Sequence, residues 1–230
     1  MPTDCWSSSP RSRMTPAEGR PLVGILLFDQ VEVLDFAGPY EVFSGTRDVS
    51  GQPYADVVTV GPAAQIVARG GLRVRPAHGL DDCPLLDALI VPGGPGADVR
   101  TPQQDEQLLP FIRRLAATSA VVASVCTGAF LLGRAGLLDG RTATTHTAAL
   151  DRLRSEFPGV DVREAKVVDE GDILSAAGVS SGIDLGLHLL ERWCGAEARA
   201  RAARNLDGPF ERSRREPDHI DRQRTLVELG

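Results

Sequence analysis

The sequence predicts an α/β protein: a three-layer sandwich with a mainly parallel central sheet covered by helices on both faces. Three observations carry this. Short apolar runs rich in Val, Ile and Leu alternate with longer segments of helical spacing. Several of those runs are apolar at consecutive positions, as strands buried on both faces must be. A strand–helix–strand succession also connects through right-handed crossovers, which makes neighbouring strands parallel. The length of 230 residues suits one large α/β domain or two small ones, and 42% hydrophobic with 24% charged residues is an ordinary globular composition.

The elements follow in chain order. Residues 1–20, MPTDCWSSSPRSRMTPAEGR, are polar and Pro/Ser-rich, and read as a disordered leader in which Met14 is an alternative start. The domain proper spans 21–195. VGILLF (23–28) is the first strand, and Pro39 marks the start of the helix after it. ADVVTV (55–60), ALIVPGG (88–94), AVVASVC (120–126) and RTATTH (141–146) are further strands, with loops across 62–84. Helical spacing covers 103–118, 127–140 (with Gly140 as its stop signal) and 147–157. DVREAKVVDEGDILSAAG (161–178) reads as two strands joined at Glu170-Gly171, and SSGIDLGLHLLERW (180–193) as a capped amphipathic helix. Residues 196–230, rich in Arg, Asp and Glu, read as a solvated helix and a loose polar tail. There is no internal repeat.

Charge and cysteine usage exclude several classes of function. Lys and Arg total 25 against 31 Asp and Glu, a net charge of −6, and the Arg-rich tail is interleaved with acids. Neither feature makes a nucleic-acid surface, so no nucleic-acid partner is expected. No apolar run approaches the ~18 residues of a membrane helix, and no secretory signal opens the chain, so no membrane partner and a cytoplasmic location are expected. Cys5, Cys83, Cys126 and Cys194 form no CxxC pair, and His78, His146, His188 and His219 form no HxH or HxxxH spacing. No disulfide framework, metal site or cofactor is expected from such spacing.

In an open α/β sheet reactive groups collect at the carboxyl ends of strands, and three features fall there. Ser124-Val125-Cys126-Thr127-Gly128 closes a strand and opens a helix, the layout of a nucleophile elbow. There the helix N-terminus is expected to lower the thiol pKa. The alternative for Cys126 is a buried core cysteine. Val91-Pro92-Gly93-Gly94-Pro95-Gly96 follows a strand, and its amides with that of Thr127 form an oxyanion-hole-like group, unless the segment is only a Gly/Pro turn. It is not a dinucleotide fingerprint, since GxGxxG with a following acid is absent. Asp35, among Val33, Leu34, Phe36 and Ala37, is either a buried acid or a cap ahead of a helix.

FDQVEVLDFAGPYEVF, the PGG turn, SVCTGAFLLGRAGLLDGRTATTH and AAGVSSGIDLGLHLLE together resemble the ThiJ/PfpI superfamily across residues 21–195. Within it they are similar to the isonitrile hydratase branch and to the amidotransferase-like sensor domains of AraC-type regulators. The resemblance implies a flavodoxin-like, amidotransferase-like fold and a homodimer acting on a small molecule. It also implies Cys126 as nucleophile, Asp35 as essential acid, Thr127 beside the nucleophile, and Gly93, Gly94 and Val179 lining the oxyanion or substrate site. His146 stands either as an accessory base or as a structural histidine. The implied activity is hydration of an isonitrile to an N-substituted formamide through a cysteine thioimidate. A non-DNA-binding ligand sensor and a cysteine-based redox or stress protein are the alternatives. The sequence departs from the broader superfamily in having Thr127 rather than His after the cysteine and Asp35 rather than Glu, and from the hydratases in having Thr147 rather than Trp after TTH. Only thirty-five residues follow position 195, without helix-turn-helix periodicity, so a DNA-binding module is not expected.

Overall fold

A computed structural model describes residues 19–207 and 220–221. The leader with Met14 and Cys5 (apart from its last two residues), and the rest of the polar tail, lie outside the described residues.

The central sheet contains β1 (Leu22–Leu26), β2 (Asp56–Gly61), β5 (His78–Gly79), β6 (Ala88–Val91), β7 (Val121–Val125), β10 (Val167–Asp169), β11 (Ile173–Ala176) and β12 (Ile220–Asp221). Their order is β12-β10-β11-β7-β6-β1-β2-β5, parallel throughout except for the β10–β11 pair. β6 and β7 are buried at every residue, as strands so rich in apolar side chains require, with Ser124 the one polar side chain among them. The β10–β11 hairpin turns at Glu170-Gly171, where Gly171 has a left-handed φ of 95°. Two short ribbons lie outside this sheet: β3 (Ile66–Val67) with β4 (Arg73–Val74), and β8 (Thr142–Ala143) with β9 (Asp161–Val162).

Helices flank the sheet. α1 (Val33–Gly45), α6 (Ser181–Cys194) and α7 (Ala196–Asn205) pack together, as do α2 (Pro95–Asp98), α3 (Leu109–Thr118) and α4 (Gly128–Arg134). α5 (Leu150–Glu156) packs beside β9. Large apolar side chains including Phe28, Phe43, Phe130, Ile25 and Ile90 fill the interior between the layers.

Five expectations are corrected. α1 begins at Val33 and carries Pro39 inside it, so Asp35 sits in the first helical turn rather than ahead of the helix. Pro39 has no N–H for the carbonyl of Asp35, a loss tolerated in a helix whose buried face packs on α6. α4 stops at Arg134 rather than at Gly140: Gly136 is left-handed at φ 78°, and Leu137 N–H returns to the Leu132 carbonyl at 3.0 Å. The 141–146 segment gives only two residues of strand, in a ribbon outside the central sheet. Beyond it Thr144 N–H turns to the Ser175 hydroxyl and the Thr145 hydroxyl to the Cys126 carbonyl. The 62–84 stretch is not only loop, since it holds the β3–β4 hairpin and β5. α7 is not simply solvated: Ala198, Ala202 and Ala203 are buried, small enough for the helix to approach α6 closely.

Candidate functional site

β1 continues to β2 on one side of itself, whereas the chain returns to β6 and β7 on the other. The loops leaving β1, β6 and β7 therefore part around one crevice at the carboxyl ends of the strands, where ligands of such sheets bind. Asp35 enters from the segment after β1, Gly93 and Gly94 from the turn after β6, and Cys126 from the turn after β7.

Cys126 has φ 56°, the sharp left-handed turn of a nucleophile elbow. Its N–H donates to the carbonyls of Ala176 (3.0 Å) and Ala177 (2.8 Å), and its carbonyl accepts from Thr145 Oγ1 at 2.7 Å. Those bonds hold a conformation that a non-glycine residue seldom adopts. Gly128 completes the elbow because a Cβ there would lie 2.1 Å from the Val91 carbonyl. The sulfur is largely covered, the residue being 6% exposed. The N–H groups of Thr127 and Val179 donate to it, and Val179 reaches that position at φ 32°.

Asp35 is fully buried. Its Oδ2 accepts from Gly93 N–H at 2.9 Å, while Oδ1 has no hydrogen-bond partner. Gly94 N–H donates to Thr127 Oγ1 at 2.9 Å. The three features singled out in the sequence are thus brought together. The Gly93 and Gly94 amides, expected to be free oxyanion donors, are instead engaged in holding Asp35 and Thr127. Replacing Thr127 by Val leaves the Gly94 N–H without its acceptor, and should destabilise the protein by about 1–3 kcal/mol in chemical denaturation.

Burial and the nearby Glu32 carboxylate push Asp35 up to about 7, against the opposing Gly93 N–H. Burial first, and then the charge of Asp35, push the Cys126 thiol up to about 12 despite the Thr127 and Val179 donors. This reverses the lowered thiol pKa expected from a helix N-terminus: α4 is only seven residues long, and desolvation outweighs its dipole. The resting pair is a protonated thiol beside a carboxyl group that titrates near neutrality.

His146 is half-buried at the edge of this group. Its Nδ1 accepts from Ala148 N–H at 3.2 Å, and its ring lies over Gly178, where a Cβ would fall 2.5 Å from Cδ2. Cys83 and Cys194 are half-buried elsewhere, and burial raises both thiols. Sequence reasoning missed Glu32 and Arg69, whose side chains pair at 2.6 Å. Nothing local links residues so far apart. Among the described residues no group of three or more His, Cys, Asp or Glu is placed to hold a metal ion, and no helix is long and apolar enough to cross a membrane.

Comparison with known proteins extends this picture. Residues 22–192 match the model of the DJ-1/PfpI family. The chain is 40% identical over 176 residues to the isonitrile hydratase of Pseudomonas putida, an overlap of 76% of this chain and 73% of that protein. It is 29% identical over 198 residues to the HTH-type transcriptional regulator GbdR of Pseudomonas aeruginosa, covering 86% of this chain but 53% of the regulator, so it spans about half that protein's length. A ThiJ/PfpI family protein from Pseudomonas syringae superposes with a TM-score of 0.71 at 27% identity, covering 92% of this chain and 84% of that one.

Proposed function

Because the chain belongs to the DJ-1/PfpI family, we propose that it is an isonitrile hydratase-like lyase, adding water to an isonitrile to give an N-substituted formamide. The observation that carries this reading is the pairing of the buried Asp35 carboxyl group, held otherwise only by Gly93 N–H, with the Cys126 thiol. The likeness to the Pseudomonas putida isonitrile hydratase supports it.

The raised pKa values suit the chemistry. The Cys126 thiol gives its proton to the Asp35 carboxylate as sulfur attacks the terminal isonitrile carbon. Asp35 then delivers that proton to carbon, leaving an S-linked thioimidate. Water adds to the same carbon and loses a proton to Asp35. Asp35 passes that proton to nitrogen, and the carbon–sulfur bond breaks as the hydroxyl proton of the adduct goes to sulfur, releasing the formamide and the original thiol. Thr127 and Val179 direct their N–H groups at the sulfur as charge forms on it, and Gly93 and Gly94 fix the acid and Thr127. Thiolate thus forms on demand, because the proton acceptor is in place before substrate arrives. His146 has an accessory place at the rim. The reading carries a small-molecule substrate, no cofactor, no nucleic-acid partner, a cytoplasmic location and a homodimer.

A second reading, a ligand sensor, is favoured by the likeness to GbdR. One assay separates the two. Purified protein is incubated with cyclohexyl isonitrile or para-nitrophenyl isonitrile, with methylglyoxal as control. The hydratase reading requires formamide from an isonitrile and no loss of methylglyoxal, with the rate rising through pH 7 as Asp35 ionises. Isonitriles that raise the melting temperature without being consumed would establish the sensor instead.

A further inference from the structure

We propose that the Arg69–Glu32 ion pair is a surface control on the candidate site: Arg69 is a positioning residue that, through Glu32, sets the pH at which Asp35 and Cys126 exchange their proton. This rests on the proton sharing invoked above, but not on the identity of the substrate.

The geometry is continuous from the surface to the buried acid. Arg69 opens the tip of the β3–β4 hairpin, where Gly70 (φ 78°) and Gly71 (φ 87°) turn the chain. The hairpin is fastened to the segment entering α1: Gln30 N–H donates to the Val67 carbonyl at 2.8 Å, and Arg69 N–H to the Val31 carbonyl at 2.9 Å. This brings Arg69 Nη1 to 2.6 Å from Glu32 Oε2. Glu32 N–H in turn donates to the Gly93 carbonyl at 2.9 Å, and Gly93 N–H donates to Asp35 Oδ2 at 2.9 Å. The ion pair and the acid are therefore linked through two residues, Glu32 and Gly93, which are hydrogen-bonded to each other.

The electrostatics follow the same line. Glu32 lies one helical turn before Asp35, and its charge opposes ionisation of the buried carboxyl. Arg69 offsets that charge, and it stands where the charge of a Cys126 thiolate, once formed, would reach it. The other groups around Asp35 are accounted for. Cys126 is its proton partner, His146 sits at the far rim over Gly178, and Asp184 of the packed helix α6 faces Lys166 and Arg199. Glu32 is largely covered, with its side chain 18% exposed, whereas that of Arg69 is 62% exposed. The cation can therefore be screened or drawn away by solutes while the anion remains beside the acid.

Timed iodoacetamide labelling of the full chain across pH 5–9, read cysteine by cysteine by mass spectrometry, tests this without any isonitrile. Its outcome is thus separate from the fate of the hydratase reading. Arg69→Gln should move the acid limb of Cys126 labelling to higher pH, slowing it roughly two- to fivefold at pH 6.5, the range expected of an exposed pair. Glu32→Gln should move it to lower pH and speed labelling by a similar factor. The double variant should lie near wild type, and Arg69→Lys, which keeps the charge, should follow wild type. In 1 M salt the single variants should converge. Cys83 labelling and thermal melting report any general loosening of the fold. Superimposable profiles, or single variants that shift in the same direction, overturn the proposal.

Discussion

An Asp35→Asn variant should remain folded while its isonitrile turnover falls about 10²–10⁴-fold, the usual contribution of a general acid–base group. Asn is nearly the same size and keeps an acceptor for Gly93 N–H, so the bond that ties α1 to the turn after β6 survives. What disappears is the carboxylate paired with the thiol and able to take its proton. The acid limb near pH 7 should therefore vanish from the Cys126 labelling profile. Stability supplies an independent sign. Burial raises Asp35 to about 7 in the fold, so between its unfolded value and 7 the folded state holds a proton that the unfolded chain has lost. Wild-type stability contributed by that proton is complete in acid and is lost as pH rises through 7. The neutral amide has no such dependence. The variant should match wild type near pH 4 and exceed it at pH 8, by an amount on the order of a few kcal/mol. Undiminished turnover, or an Asn variant that melts lower at pH 8, would make Asp35 a structural residue.

Gly93→Ala should be nearly as damaging, by a different route. A Cβ at Gly93 would stand 2.5 Å from Thr127 N, 2.7 Å from Thr127 Oγ1 and 3.0 Å from Asp35 Oδ2. The nearest obstacle is backbone at the elbow, which cannot swing aside as a long side chain would. Overpacking of this kind costs about 1–3 kcal/mol. Moving the elbow by an ångström relative to the acid should also lower turnover by about 10²-fold. Gly159→Ala is the fitting control, since its Cβ would meet nothing nearer than Asp139 Oδ1 at 3.9 Å. It should be close to wild type in both melting and rate. A Gly93→Ala enzyme of normal activity would mean that the turn after β6 has no part in the geometry of the site.

Much of this architecture was legible in the sequence because burial writes itself into apolar runs. ALIV and VVASV could be assigned as central strands from composition alone, and the elbow from the succession Cys126-Thr127-Gly128. What was illegible depended on competition between local signals and distant partners. Pro39 resembles a helix start, yet it is carried inside α1 by packing against α6. Gly140 and Gly136 are both left-handed glycines, and only the bond from Leu137 to Leu132 shows which one ends α4. The types of the site residues could be read, but not the sense of the thiol shift, which depends on how completely the crevice is dried. Glu32 and Arg69 were invisible because a salt bridge between a helix entry and a hairpin tip has no local pattern.

The strand order has a consequence for how the molecule acquires its chemistry. β1 pairs with β6 across more than sixty intervening positions, and the bond from Gly93 to Asp35 spans 58. Contacts so remote in sequence form late, since the loops they close must first lose their freedom. No isolated hairpin or helix of this chain contains the reactive arrangement, and a nascent polypeptide would lack it until β7 had docked between β6 and β11. Protection of the Cys126 thiol is therefore a late marker of refolding, arriving with the central sheet rather than with the first helices.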